Sequence, residues 1–355
     1  MKIGLIGLAN SGKTTIFNAL TNMDAKTSMY ADVTAGPNIA IVEVDDGRVA
    51  CLTEMYKPKK ITRATIEMID FPGLKSGSAP KGSFATNGLS MVKHADALAL
   101  VVRNFSDDLA GPPTPLSEID DIDTELLLTD LIIVESRLER IEKTMNRGQK
   151  SAHLLAEERV LRTILDHLNE DRPIRELTFT EDDEKIIRGF QFLTKKPFLV
   201  ILNSDEAFFG RNTELIAAIE AKYKVIEFAG RFEMELSRLS DDDAVIFMED
   251  MGIRMSARER LTRFAYQTLG YVSFFTVGED EVRAWSIHEG DTAVDAAAAI
   301  HSDLARGFIR AECFTYDELM ACGTEKGIRD KGCFRLEGKD YPVRDGDILN
   351  IRFSV

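Results

Sequence analysis

The chain has no long hydrophobic run. Its longest uninterrupted apolar stretch, residues 97–102, falls far short of the roughly 20 residues a membrane-spanning helix needs. The opening Met1-Lys2-Ile3-Gly4-Leu5-Ile6-Gly7 also lacks the longer apolar region and cleavage site of a secretory signal, so no targeting segment is expected. Cysteine is sparse. Cys51, Cys313, Cys322 and Cys333 stand far apart with no Cys-x-x-Cys pair, a pattern of reduced cytoplasmic thiols and not of a disulfide framework or zinc site. The five histidines show no metal-ligand spacing. Positive charge is in deficit, with 44 Lys and Arg against 59 Asp and Glu and a net charge of -15. A field of that sign does not draw nucleic acid, and no groove-reading helix is recognisable, so a role on specific DNA is not expected. Any contact with RNA or a ribosome has to use a local patch such as Lys57, Lys59, Lys60 and Arg63, for which a solvated loop is the simpler reading.

What is present is an ordinary globular composition, 44% hydrophobic and 29% charged, long enough for two or three domains. No internal repeat appears. Apolar runs at residues 2–7, 39–44, 65–69 and 97–102 alternate with helical patterns, which predicts a parallel sheet with crossover helices. Two further strands are expected much later, at 198–202 and 225–228. The interruption reads as helix. Leu127, Leu131, Val134, Leu138, Ile141 and Met145 form a coiled-coil seam, Gly148 breaks it, and Leu154, Leu161, Leu165 and Leu168 resume it until Pro173. An antiparallel helical arm is the expectation; two helices lying on the sheet's own core is the alternative. Ser256-Ala257-Arg258-Glu259 resembles a capping box that opens a helix ending near Gly270. Beyond it, short strands, glycine turns and one amphipathic helix over 293–304 predict a small α+β domain from 273 to 355.

The chemistry is concentrated at the start. Gly7-Leu8-Ala9-Asn10-Ser11-Gly12-Lys13-Thr14 fits G-x-x-x-x-G-K-[ST] between a predicted strand and a predicted helix. Backbone N–H groups of such a loop and the helix N-terminus approach phosphates, which places Asn10, Ser11, Gly12, Lys13, Thr14 and Thr15 at the nucleotide. Lys13 is expected to reach the β- and γ-phosphates and the Thr14 hydroxyl to ligate Mg²⁺. Asp70-Phe71-Pro72-Gly73 follows a predicted strand, where a D-x-x-G switch belongs: Asp70 for the metal through water, Gly73 for the γ-phosphate. Thr34 is the candidate for a second magnesium-binding hydroxyl, with Thr27 and Ser28 as competitors. Lys13, Asp70 and Gly73 thus form the expected catalytic set, and Thr14, Thr34 and Asp70 the expected metal set.

Guanine-specific members of this class carry an N-K-x-D tetrad after a late strand. Here the tetrad is Asn203-Ser204-Asp205-Glu206, with Ser204 in place of lysine and Glu206 in place of aspartate, a change that weakens guanine selectivity. In Ras-like enzymes a glutamine just after D-x-x-G orients the attacking water; Leu74 stands there and cannot. Asn87 is a candidate substitute. Asn10 lies where some P-loop enzymes hold K⁺, and a loop-capping role explains it equally well.

GLANSGKTTIFNAL, DFPGL, the NSDE tetrad and the stretch from EVRAWSIHEGDTAVDAAAAI to YPVRDGDILNIRFSV together resemble the Obg-like ATPase family (YchF), over nearly the whole chain. The resemblance implies a G-domain-like P-loop nucleotide domain (1–120 and 196–272), an inserted antiparallel coiled-coil arm (121–195) and a C-terminal ubiquitin-like β-grasp TGS domain (273–355). It implies an ATP preference over GTP set by Asn203 and Glu206, with Ser204 lining the base by its backbone and Phe105 beside the adenine. It also implies a cytoplasmic protein associated with ribosomes or a ribosomal subunit. Two segments depart from the family pattern. The family's glycine-rich run after D-x-x-G is replaced by Lys81-Gly82-Ser83-Phe84-Ala85-Thr86-Asn87, and its aromatic–proline–aromatic loop by Tyr30-Ala31-Asp32-Val33. A slow ATP hydrolase is therefore expected, against a translation-factor GTPase or a nucleotide-gated binding module with negligible turnover.

Overall fold

The computed structural model of the chain describes residues 1–21, 23, 25, 37–73, 92–106, 111–250 and 252–354. Two compact units emerge, residues 1–41 with 67–257 and residues 42–66 with 258–355. The expected bounds of 1–120 with 196–272, 121–195 and 273–355 differ from these: residues 42–66 and 258–272 pack with the C-terminal sheet.

The first unit is built on a six-stranded sheet: β1 (Lys2–Ile6), β2 (Asn38–Glu43), β4 (Thr65–Asp70), β5 (Ala97–Asn104), β6 (Phe198–Ser204) and β7 (Lys224–Phe228). Their order is β2-β4-β1-β5-β6-β7, and the ladders β4–β1, β1–β5, β5–β6 and β6–β7 are parallel. A parallel sheet covered on both faces demands nearly continuous apolar strands. β5 and β6 comply, every residue of β6 being buried. Helix α1 (Lys13–Thr21) follows β1, and the helices α6 (Thr213–Glu220) and α7 (Gly230–Leu236) lead into and out of β7.

Between β5 and β6 run α3 (Pro115–Asn146), α4 (Ala152–Asn169) and the short α5 (Glu181–Ile187). α3 changes partner along its length. Ile119, Ile122 and Leu126 join the core under the sheet with Leu98, Leu100 and Val200. From Leu127 onward α3 packs with α4 in a separate core of Val134, Ile141, Val160, Leu161, Ile164 and Leu168. Leu131, Leu138, Met145, Leu154 and Leu165 pack against it, half-buried, which makes the heptad seam real. Both readings of the insertion thus hold in part: one helix serves the sheet first and the helical pair afterwards. Gly148, at φ +82°, lets the chain reverse, and the Ser151 hydroxyl accepts from the Leu154 N–H to start α4. Asp130 fixes the return. Its buried carboxylate accepts from the Leu193 and Thr194 N–H groups at 3.0 and 2.7 Å and from the Thr194 hydroxyl at 2.8 Å.

The second unit holds α2 (Gly47–Tyr56), β3 (Lys60–Thr62), α9 (Ala257–Leu269), β8 (Tyr271–Thr276), β9 (Glu281–His288), α10 (Ala293–Ile300), α11 (Ser302–Arg306), β10 (Phe308–Thr315), α12 (Tyr316–Cys322), α13 (Glu325–Asp330), β11 (Arg335–Glu337) and β12 (Asp347–Phe353). α8 (Asp241–Asp250) belongs to the first unit. The sheet order is β11-β10-β12-β8-β9-β3. β8 and β9 form an antiparallel hairpin, β12 runs parallel to β8, and α10 covers one face through Ala293, Ala296 and Ala297: a β-grasp. β3, from far upstream, adds the edge strand beside β9. It brings the basic patch against carboxylates, with Lys59 on Asp280 at 2.7 Å, Lys60 on Glu281 at 3.0 Å and Arg63 on Asp45 at 3.2 Å. The helix expected over 293–304 is in fact two. His301 is extended at φ -165°, and its ring accepts from the Asp303 N–H, ending α10 and starting α11. Among the described residues no helix is long and apolar enough to cross a membrane.

Candidate functional site

The loop from Gly7 to Gly12 leaves β1 and turns directly into α1. Its conformation excludes ordinary side chains. Gly7 at φ +149° would put a Cβ 2.4 Å from the Val101 carbonyl oxygen, and Gly12 at φ +85° would put one 2.1 Å from the Asn203 amide nitrogen. Asn10 sits at φ +62°, a left-handed conformation that asparagine tolerates. Lys13 opens α1, and its ammonium folds back to donate to the Leu8 carbonyl at 2.8 Å. Burial pulls this amine down to about 8, against the attraction of Asp70, so its charge is held at a cost that a bound anion would offset.

Asp70 ends β4 opposite the loop. Its Oδ2 accepts from the Thr14 hydroxyl at 2.9 Å and from Asn38 Nδ2 at 3.2 Å. Burial raises its carboxyl pKa, while Thr14, Asn38 and Lys13 oppose the rise. Its other oxygen, Oδ1, is buried with no hydrogen-bond partner among the described residues, and so is the Ser11 hydroxyl. Buried polar atoms left unsatisfied are costly, and these two, one on the loop and one facing it, are placed to meet a ligand. Gly73 closes the same corner: a Cβ there would lie 3.0 Å from Ala9 Cα and 3.2 Å from Lys13 Nζ. The D-x-x-G turn therefore abuts the phosphate loop beside its lysine.

Asn203, 4% exposed at the end of β6, braces the loop from behind. Its Nδ2 donates to the Ser11 carbonyl at 3.1 Å, and its Oδ1 accepts from the Gly230 N–H at 3.1 Å. Gly230 is confined by this contact, since a Cβ on it would lie 2.6 Å from Asn203 Oδ1. Phe105, just past β5, brings its ring to 3.8 Å from where a Gly12 Cβ would be. Arg103 holds that segment, donating to the carbonyls of Phe105, Gly111 and Pro112 at 3.2, 2.7 and 3.1 Å.

Of the expected residues, the fold gathers Ser11, Gly12, Lys13, Thr14, Asp70, Gly73, Phe105 and Asn203 at one end of the parallel sheet. Thr15 is half-buried in the first turn of α1, and Ser204 is buried next to Asn203. Glu206 stands exposed on the turn after β6. Thr34, Leu74, Asn87, the segment 81–87 and the loop 30–33 lie outside the described residues. Sequence reasoning missed Asn38 on Asp70, and Asn104, Asn212 and Glu227 around Ser204. The available signal was a polar residue inside or just ending an apolar strand, as in Val225-Ile226-Glu227-Phe228.

A glycine loop between strand and helix, its lysine against a D-x-x-G turn and its threonine on that turn's aspartate, defines a P-loop nucleotide-binding protein. A family model described as a 50S ribosome-binding GTPase matches residues 2–137, and the YchF-GTPase C-terminal model, described as a protein of unknown function, matches residues 271–354. The chain is 37% identical to the ribosome-binding ATPase YchF of Bacillus subtilis, covering 99% of both chains. It is 38% identical to the protein of that name from Haemophilus influenzae, over 100% of this chain and 99% of the relative. Its fold matches the solved structure of the Schizosaccharomyces pombe YchF GTPase with a TM-score of 0.83 and 29% identity, over 99% and 97% of the two chains. The chain belongs to the YchF family of P-loop nucleoside triphosphatases.

Proposed function

We propose that this chain is a Mg²⁺-dependent ATP hydrolase of low intrinsic rate that acts as a nucleotide switch on ribosomes in the cytoplasm. One observation carries the reading: Thr14 and Asp70 are hydrogen-bonded at 2.9 Å beside a buried Lys13 that lies against Gly73. Asp70 Oδ1, buried without a hydrogen-bond partner among the described residues, and the Thr14 hydroxyl are hard oxygen donors that fit Mg²⁺, with Thr34 as the further candidate from the sequence. Bound there, the ion would neutralise phosphate charge. Lys13 is placed to bind the β- and γ-phosphates and to stabilise the negative charge that gathers on the departing ADP as water displaces it. The Gly73 N–H is the candidate sensor of the γ-phosphate. Leu74 supplies no group to orient the water, which favours slow turnover without a partner. Asn10 supports a K⁺ role that equal rates in potassium and sodium would remove.

The names of the relatives disagree on the base, ATPase in the bacterial proteins and GTPase in the fission yeast structure. Adenine is favoured here because no lysine follows Asn203 and because the Ser204 hydroxyl is used within the protein. The ribosome as partner rests on the names of the bacterial relatives. Phosphate release from ATP and from GTP, with and without ribosomes, tests the proposal. The expected result is release from ATP that is slow alone and faster with ribosomes. Release from neither nucleotide under either condition would leave a binding switch without turnover.

A further inference from the structure

The loop 205–212, which carries Glu206, leaves β6 and returns into α6 over a group of polar side chains from separate elements. The Ser204 hydroxyl donates to Glu227 Oε1 at 2.5 Å and accepts from Asn104 Nδ2 at 2.9 Å and Asn212 Nδ2 at 3.2 Å. A hydroxyl offers one donor and two acceptor positions, and the single donor here is spent on Glu227. Glu227, from β7, also accepts from Asn212 Nδ2 at 2.5 Å and from the Gly210 N–H at 3.0 Å. One carboxylate therefore ties the start of the loop and its far end to the sheet, and Asn104 couples the same point to β5. Bonds to an ionised acceptor are the stronger kind, which makes Glu227 the clamp and the three donors its dependents.

We infer that Glu227 is a positioning residue that fixes the base-reading loop and thereby sets the choice between a 6-amino and a 6-oxo purine; this rests on the nucleotide reading above. A 6-amino group needs an acceptor and a 6-oxo group needs a donor. The single hydrogen of Ser204 is committed to Glu227, so the residue in the tetrad's lysine position has no donor to offer an oxo group. Replacing Glu227 by glutamine leaves one carbonyl oxygen where the carboxylate offered two. The Ser204 hydrogen then competes with the Asn212 amide for that oxygen and is held less firmly, which weakens the exclusion of the oxo group.

The test uses the full chain and three probes: ATP, GTP and inorganic tripolyphosphate, which has phosphates and no base. In E227Q the ATP-to-GTP affinity ratio is expected to move toward GTP by about tenfold, while tripolyphosphate affinity stays within about twofold. A merely structural defect would lower all three together. An unchanged ratio, or a parallel loss for tripolyphosphate, overturns the inference. S204A serves where E227Q does not fold. It is expected to weaken the preferred nucleotide by about threefold or more with tripolyphosphate unmoved, and unaltered nucleotide affinity there overturns the inference as well. A wild-type chain that prefers GTP would refute the adenine reading alone, because the readout here is the change the variant makes.

Discussion

The two ends of the nucleotide site are built by different means. The phosphate end is made of backbone: Gly7 and Gly12 in conformations barred to other residues, the first turn of α1, and the D-x-x-G turn at Gly73. Its side chains, Lys13, Thr14 and Asp70, are few and meet each other directly. The base end proposed above is made of side chains collected from three strands and a helix cap, Asn104, Ser204, Glu227 and Asn212. Every triphosphate presents the same charge, so a backbone cradle suffices for it. Bases differ in the donors and acceptors along their edge, so reading them takes oriented side chains.

The sharpest way to break this division is to remove the charge that all triphosphates share. Lys13→Ala is expected to weaken ATP, GTP and tripolyphosphate alike, on the order of a hundredfold or more, in equilibrium binding. Retained affinity for any of them would show that the loop binds without its lysine. Asn203 spans both ends, and Asn203→Ala leaves the Ser11 carbonyl and the Gly230 N–H without their partner. We expect a loss of about 2 kcal/mol in stability by chemical denaturation. ATP and GTP affinities should fall together. A shift in their ratio would instead assign Asn203 to base reading.

The pH dependence sharpens the same comparison. In the free protein burial lowers the Lys13 amine to about 8, and bound phosphate restores its proton. Affinity for ATP and for tripolyphosphate should therefore be flat below that pH and fall by up to about tenfold per pH unit above it, with proton uptake on binding. A flat profile to pH 9.5 would contradict the burial of this amine. The smallest effect is expected in the arm. Arg137 pairs with the buried Glu157 at 2.7 and 2.8 Å, and Arg137→Ala should cost about 1–2 kcal/mol of stability while leaving nucleotide affinity unchanged.

The same division decided what could be read from the sequence. Gly7 to Thr14 and Asp70 to Gly73 are contiguous, and their spacing alone placed them at one loop and one strand end. The heptad seam of 127–145 and 154–168 was legible for the same reason: local periodicity records which face is buried. The cluster around Glu227 was not legible, because its members lie at 104, 204, 212 and 227 and only the order of β5, β6 and β7 brings them together. β3 was lost for a related cause. Three residues are too few to show a period, and its partner Glu281–Arg283 lies more than two hundred positions away. The split at His301 depended on a ring nitrogen acting as a cap, which composition does not advertise.

On the reading proposed above, the loop binds triphosphates and the end carrying Ser204 and Glu206 selects adenine. Protein purified without added nucleotide, denatured, and its released ligand identified by mass, tests it most directly. ADP or ATP is the expected ligand; a guanine nucleotide in their place would refute the adenine selection.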